Sequence, residues 1–227
     1  MPVPAWVPDP PMKPADVLYL HGFASSPQST KATYLAERCQ RHGLTLRAPD
    51  FNQPDFSTMT VTRMLDQLDV ELPPASGTPA TLVGSSLGGA LAVLAAERFG
   101  PRVSGLVLLA PAVMFAKPGH HLLPPERLDE WRRLGAIPFF HYADRVERPL
   151  NYSFYEDSTR YNPFTAAFSQ PAIVFQGVRD RAVDPEIVKD FTAARRNVSL
   201  TLLEDDHSLV VSLPRIWDGM SKFMGIE

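Results

Sequence analysis

The stretch from Ala80 to Arg98 constrains this chain more than any other. It is a short apolar run closed by Gly84, followed by a segment rich in Ala and Leu, and the pattern predicts strand, sharp turn, helix. Ser86 stands at the turn with Gly84 two residues before it and Gly88 two after, a Gly-x-Ser-x-Gly elbow. Both glycines have a steric reason. An elbow this tight brings the flanking positions so close together that side chains there would collide. The hydroxyl is thrust into a cleft, and the free N–H groups that open the following helix converge on the same point. Chance alone yields such a pentapeptide in roughly 0.08 of chains this long, with Gly and Ser each at about 7%. The strand and helix patterns on either side therefore carry the argument. The bland alternative is a Gly-rich turn that only packs strand against helix.

The rest of the chain alternates in the same way. Asp16 to Leu20 reads as a first strand, followed at once by His21-Gly22-Phe23. A helix is expected from a Ser26-Pro27 start to about His42, with Gly43 as its stop, and then a strand from Thr45 to Ala48. Met59, Met64, Leu65 and Leu68 recur at helical spacing between Asp55 and Leu72, before Pro73-Pro74. Val103 to Leu109 is a continuous apolar run, as in a strand buried on both faces. The rhythm resumes with a strand at Ala172 to Gln176, a helix opened by Asp184-Pro185, a last strand at Ser199 to Leu203 and a terminal helix ending near Gly225. This predicts an α/β fold with a mainly parallel sheet of about six strands and helices on both faces.

In such a sheet the loops at the carboxyl ends of the strands converge on one edge. A serine nucleophile there needs a base, normally His, itself oriented by a carboxylate. Ser86, Asp180 and His207 each follow a strand, in the chain order Ser, Asp, His. Of the six histidines only His207 follows the last strand. His42 reads as a solvated helix end, and His21 as a residue that holds its own loop by local hydrogen bonding. Asp205 and Asp206 are beside His207 in sequence, where a side chain rarely points back at the ring, so they are expected to be structural or solvated. Gly22 lets the loop after the first strand turn toward the site. The backbone N–H groups of Phe23 and Leu87 are the candidate oxyanion donors.

Between residues 111 and 170 the β/α rhythm breaks into a stretch with many aromatic side chains, too long for a mere connection. It is expected to be an inserted lid over the cleft, dividing a core of 16–110 and 171–227. Met114, Phe115 and Tyr152 are its candidate substrate contacts. His120 and His121 invite a metal reading, but no carboxylates accompany them at ligand spacing, and they read as lid surface. No metal site is expected.

Composition narrows the partners. At 227 residues, 44% hydrophobic and 21% charged, the chain can bury a substantial core as one domain. A formal net charge of −3 without a Lys/Arg-rich block leaves no footprint for nucleic acid or an anionic membrane. Cys39 is the single cysteine, expected to be a buried or half-buried helix residue, so an internal disulfide is impossible. Residues 1–15 read as a Pro-rich arm rather than a signal peptide. No apolar run is long enough for a transmembrane helix, and the cytoplasm is the expected location. Nothing in the sequence signals an oligomeric state.

Leu18-Tyr-Leu-His-Gly-Phe23, Ser25-Ser26-Pro27, Lys31-Ala32 and Val83-Gly-Ser-Ser-Leu-Gly-Gly89 resemble the α/β-hydrolase superfamily, and within it the small YqiA/YcfP-like esterases. The resemblance implies a carboxylic ester hydrolase that works without a cofactor through Ser86, His207 and Asp180 on a small-molecule ester. A thioesterase using the same machinery and a non-catalytic binder using the pocket as a receptor are the alternatives.

Overall fold

The computed structural model describes residues 16–117 and 123–226. The arm expected over 1–15 and the His120, His121 pair lie outside the described residues. In chain order the elements begin β1 (Asp16–Leu20), α1 (Thr30–Arg41), β2 (Thr45–Arg47), α2 (Val61–Glu71), β3 (Ala80–Ser85), α3 (Leu87–Phe99) and β4 (Val103–Leu109). They continue with α4 (Pro125–Leu134), β5 (Ala136–His141), β6 (Val146–Asn151), α5 (Ser153–Ser158), β7 (Ala172–Gly177), α6 (Pro185–Ala193), β8 (Val198–Leu203) and α7 (Leu213–Met224).

Six strands form one sheet in the order β2-β1-β3-β4-β7-β8, and every neighbouring pair is parallel. The chain steps one way from β1 to β2 and the other way from β3 onward. A crevice therefore opens at the carboxyl ends of β1 and β3, the usual ligand position in open α/β sheets. Alternation along the strands assigns the faces. Val17 and Tyr19 join Leu35 and Cys39 of α1 and Ile216 and Trp217 of α7 in one apolar cluster. Leu18 and Leu20 join Met64 and Leu68 of α2, Leu91 of α3 and Val188 and Phe191 of α6 in the other. Leu106, Val107, Leu108 and Leu109 of β4 are all fully buried, each worth ~1.5–3 kcal/mol against exposure.

Two helix expectations need correction. Ser26-Pro27 does not open α1. Ser26 instead closes a turn, its carbonyl accepting from Ser29 N–H at 3.1 Å. Ser29 then caps the helix by accepting from Ala32 N–H, so the register of the cap is one turn later. The helix expected over 55–72 is two pieces. Asp55 caps a short 3-10 turn at Phe56–Thr58, and Thr60, accepting from Arg63 N–H, starts α2 afresh. Met59 stays buried between them.

Residues between β4 and β7 fold as α4, an antiparallel β5-β6 hairpin and α5. Trp131, Ile137, Leu150 and Phe154 of this insertion belong to the same apolar cluster as Leu18 and Leu106 of the sheet. The insertion is thus built onto the core rather than held apart from it.

Candidate active site

Ser86 follows β3 directly and has φ +54°, ψ −116°, a backbone conformation that costs free energy in any residue with a side chain. The surroundings hold it there. Ser86 N–H donates to Leu109 C=O at 2.9 Å, and its own carbonyl accepts from Ala112 N–H at 3.1 Å, so the end of β4 clamps the elbow. The glycines are needed as the sequence pattern implied. A methyl group on Gly84 would lie 2.7 Å from Gly89 Cα and overlap the Gly88 carbonyl, and one on Gly88 would overlap Leu20 C=O. At Gly22 the same methyl would come 3.3 Å from Ser85 O and 3.4 Å from Ser86 Cβ, which shows how closely the loop after β1 approaches the elbow.

The loops after β7 and β8 bring Asp180 and His207 to Ser86. His207 Nδ1 pairs with Asp180 Oδ2 at 2.8 Å, and His207 Nε2 with Ser86 Oγ at 3.1 Å. An ionised carboxylate only accepts, so Nδ1 carries the proton and Nε2 is left to accept from the hydroxyl. Asp180 Oδ1 also accepts from Ala182 N–H at 2.8 Å and Val183 N–H at 2.9 Å. Burial pushes this carboxyl up, but the bonds from His207 and from those N–H groups outweigh it and hold it below the ordinary carboxylate range.

Two residues outside the sequence assignment complete this arrangement. Gln176, fully buried, donates from Nε2 to the same Asp180 Oδ2 at 3.0 Å. A methyl group on Gly177 would lie 2.6 Å from the carbonyls of Asp205 and Asp206, so the β8 loop rests on that glycine. This contact joins the loops of two separate strands, which spacing in the sequence does not reveal. Asp205 Oδ1 accepts from Asp206 N–H and Oδ2 from Ser212 N–H, both at 2.8 Å. Asp206 accepts from Ser208. Neither reaches the imidazole.

The backbone N–H groups of Phe23 and Leu87 flank the elbow from the β1 loop and the start of α3, and neither has a hydrogen-bond partner among the described residues. His21 is buried; its Nδ1 donates to Gly22 C=O at 2.9 Å and its Nε2 accepts from Phe51 N–H at 3.0 Å. Both ring nitrogens are engaged in shaping the loop.

A cavity of about 1060 Å³ opens over Ser86. Met114 and Phe115 line it, joined by Leu128, Trp131, Phe139 and Phe154 of the insertion. Tyr152 is not part of its wall. Its ring packs behind it against Trp131, with centroids 5.7 Å apart, because its hydroxyl turns away to accept from Arg132 Nε at 3.1 Å. Among the described residues no group of three or more His, Cys, Asp or Glu side chains is placed to hold a metal, and no helix is long and apolar enough to cross a membrane.

A parallel sheet reversed between β1 and β3, with a strained serine elbow after β3 and Asp and His loops after the last two strands, is the α/β-hydrolase fold. Solved structures share it. A candidate hydrolase from Agrobacterium vitis S4 superposes with a TM-score of 0.79 at 24% identity, over 94% of this chain and 88% of that one. Est1E from Butyrivibrio proteoclasticus, with ferulic acid bound, gives 0.77 at 19% identity over 94% and 90%. Alpha/beta hydrolase domain-containing protein 10 from mouse gives 0.72 at 22% identity over 91% and 90%. Within that class the chain belongs to UPF0227, described as an uncharacterised protein family, whose model matches residues 16–215. No curated protein matches the sequence.

Proposed function

We propose that the chain is a serine esterase, a hydrolase that passes the acyl group of a carboxylic ester to water. The observation that carries this reading is the unbroken line from Ser86 Oγ through the His207 imidazole to Asp180 Oδ2, set in the floor of an apolar cavity. His207 Nε2 takes the hydroxyl proton as Ser86 Oγ attacks the ester carbonyl. The N–H groups of Phe23 and Leu87 receive the oxyanion. The tetrahedral centre collapses, the alcohol leaves with the proton from His207, and Ser86 is left acylated. Water then enters and attacks the acyl carbonyl as it gives a proton to His207 Nε2. The second tetrahedral centre collapses to the acid, Ser86 Oγ leaves with that proton restored from His207, and Asp180 holds the imidazole by its Nδ1–H throughout.

The insertion acts as the lid, and its ring-lined wall suits the apolar part of a small or medium acyl group. The fold neighbour Est1E holds ferulic acid, and a carboxylic acid is the product that an esterase releases. The enzyme works in the cytoplasm without a cofactor.

Labelling with a fluorophosphonate, followed by peptide mapping, tests the assignment, together with turnover of p-nitrophenyl esters of graded chain length. Modification at Ser86, lost in Ser86→Ala and kept in Ser85→Ala, is expected. Modification at Ser85 instead ends the assignment of Ser86 as the nucleophile, and absence of both labelling and turnover in folded protein ends the esterase reading and leaves the pocket as a receptor.

A further inference from the structure

Asp180 and His207 are held to each other from one side of the molecule. Their loops follow neighbouring strands and are tied locally. Arg179 N–H donates to Asp205 C=O at 3.0 Å, and Gly177 seats the carbonyls of Asp205 and Asp206. Ser86 and Phe23 follow β3 and β1, and β3 is separated from β8 by β4 and β7. Local bonds in the β7 and β8 loops cannot set the distance between His207 and the elbow.

Besides the His207–Ser86 bond itself, one side chain ties the His207 loop to the β1 side of the cleft. Lys31, in the first turn of α1, donates from Nζ to the carbonyl of Ser208, the residue after His207, at 2.8 Å. Among the described residues this is the one hydrogen bond between the segments 16–50 and 204–212. Helix α1 follows the loop that carries Phe23, so the bond joins the oxyanion side of the cleft to the side that carries the base. Lys31 also lines the cavity over Ser86. Burial lowers the affinity of its amine for a proton, and the nearby Asp206, Asp180 and Asp205 carboxylates oppose that effect. Holding a long flexible side chain in one place costs rotamer entropy, which its charge-assisted bond to a carbonyl offsets.

We infer that Lys31 is a positioning residue: it fixes the His207 loop relative to Ser86 and the Phe23 N–H through the Ser208 carbonyl. It touches neither substrate nor reacting atoms in this role. This rests on the esterase reading above.

The test compares wild type, Lys31→Met and Lys31→Arg. Met keeps the length and the packing of the stem but cannot donate, while Arg can. A misplacement of a reacting group by about 1 Å costs on the order of 100-fold, so Lys31→Met is expected to lower kcat by roughly 10- to 100-fold with KM nearly unchanged. Its rate constant for fluorophosphonate labelling should fall by a similar factor and its thermal midpoint should stay close to that of wild type. Lys31→Arg is expected to recover most of kcat and of the labelling rate. A Met variant with wild-type kcat and labelling rate overturns the inference. So does a loss of kcat that follows a lowered midpoint in both variants, since that is a contribution to folding alone. Absence of labelling at Ser86 in the wild type defeats the esterase reading instead, and the two failures are thereby told apart.

Discussion

The ring of Phe23 meets that of Phe139 edge-on, with centroids 5.4 Å apart and planes at 79°. Phe23 belongs to the loop after β1 and carries one of the proposed oxyanion N–H groups, and Phe139 belongs to the hairpin of the insertion. Phe154 approaches Phe23 from α5 at 5.5 Å. The cavity over Ser86 and one proposed oxyanion donor therefore share a wall. Removing Phe139 should be felt in two ways.

With Phe139→Ala the cavity enlarges beside Phe23. Each additional buried methylene is worth about 0.8 kcal/mol, or roughly fourfold in relative specificity, so the preference among p-nitrophenyl esters is expected to move toward longer acyl chains. kcat on the shortest ester should also fall, because the Phe23 loop loses an aromatic contact worth ~0.5–1.5 kcal/mol. Profiles of kcat/KM against chain length check both parts. An unchanged profile in folded protein separates the insertion from substrate choice.

The steric reading of the elbow has its own check. Gly88→Ala places a methyl group onto the carbonyls of Leu20 and His21, which cannot yield without moving α3 off β1. The expected cost is ~4 kcal/mol or more, in the range reserved for a named steric fault. Gly43→Ala is the comparison. Its φ is +71° but nothing lies within 4 Å of the added methyl, so only the left-handed backbone is penalised, at roughly 1–2 kcal/mol. Urea denaturation midpoints of the two variants should differ clearly in that order.

What could be read from the chain alone was what local physics decides. The elbow needs two glycines and a strand-to-helix switch within nineteen or so residues, and the central core strands announce themselves by apolar runs between helix patterns, whereas the edge strand β2 is only Thr45-Leu-Arg47. The insertion was harder for a physical reason. Val146 to Leu150 of β6 is exposed at every position but Leu150, so no alternation marks it, and Pro138 faces Pro149 across the hairpin, where both residues read as breakers. The start of α1 is expected at Ser26-Pro27, and the structure puts the cap at Ser29. That shift depends on where the loop after Phe23 has to end. The Gln176 bond to Asp180 and the Lys31 bond to Ser208 bring together residues from separate elements, and spacing in sequence carries no trace of them.

Cys39 offers a pH-dependent reading of the core. It is fully buried on the inner face of α1, and burial pushes its thiol up to about 11. An unfolded chain ionises it from about pH 8.5. A folded pKa above the unfolded one means that the stabilising contribution is complete below about pH 8.5 and is lost as pH rises toward the folded value. Between pH 8 and pH 10 the wild type should lose roughly 1–2 kcal/mol from this group. Cys39→Ala should lack that part of the loss. Denaturation midpoints of both proteins at the two pH values supply the comparison, and equal alkaline losses would sink the argument.

The carboxylates near His207 are separable because each does something different. Asp180 accepts from the imidazole, from Gln176 and from two backbone N–H groups, whereas Asp184 accepts from Glu186 N–H at 2.9 Å as the cap of α6. Asp180→Asn keeps the shape but offers an amide where the imidazole needs an acceptor, and the wrong tautomer is then favoured. The serine-protease template sets the scale at roughly 10⁴-fold in kcat. Asp184→Ala should cost about 1 kcal/mol of stability, the usual worth of a cap, with turnover nearly kept. Asp205→Asn should fall between, since Asp205 shapes the His207 loop through Asp206 and Ser212. Acid unfolding adds a second axis. The Asp180 carboxyl is held below its ordinary value, so its contribution to stability is present above about pH 3.9 and fades as pH falls through the folded value. Asp180→Asn should remove that part of the acid loss, and Asp184→Ala should keep it. The measurement is kcat beside denaturation midpoints at neutral and acid pH for all three variants. Near-normal kcat in Asp180→Asn would move the orienting role to another carboxylate.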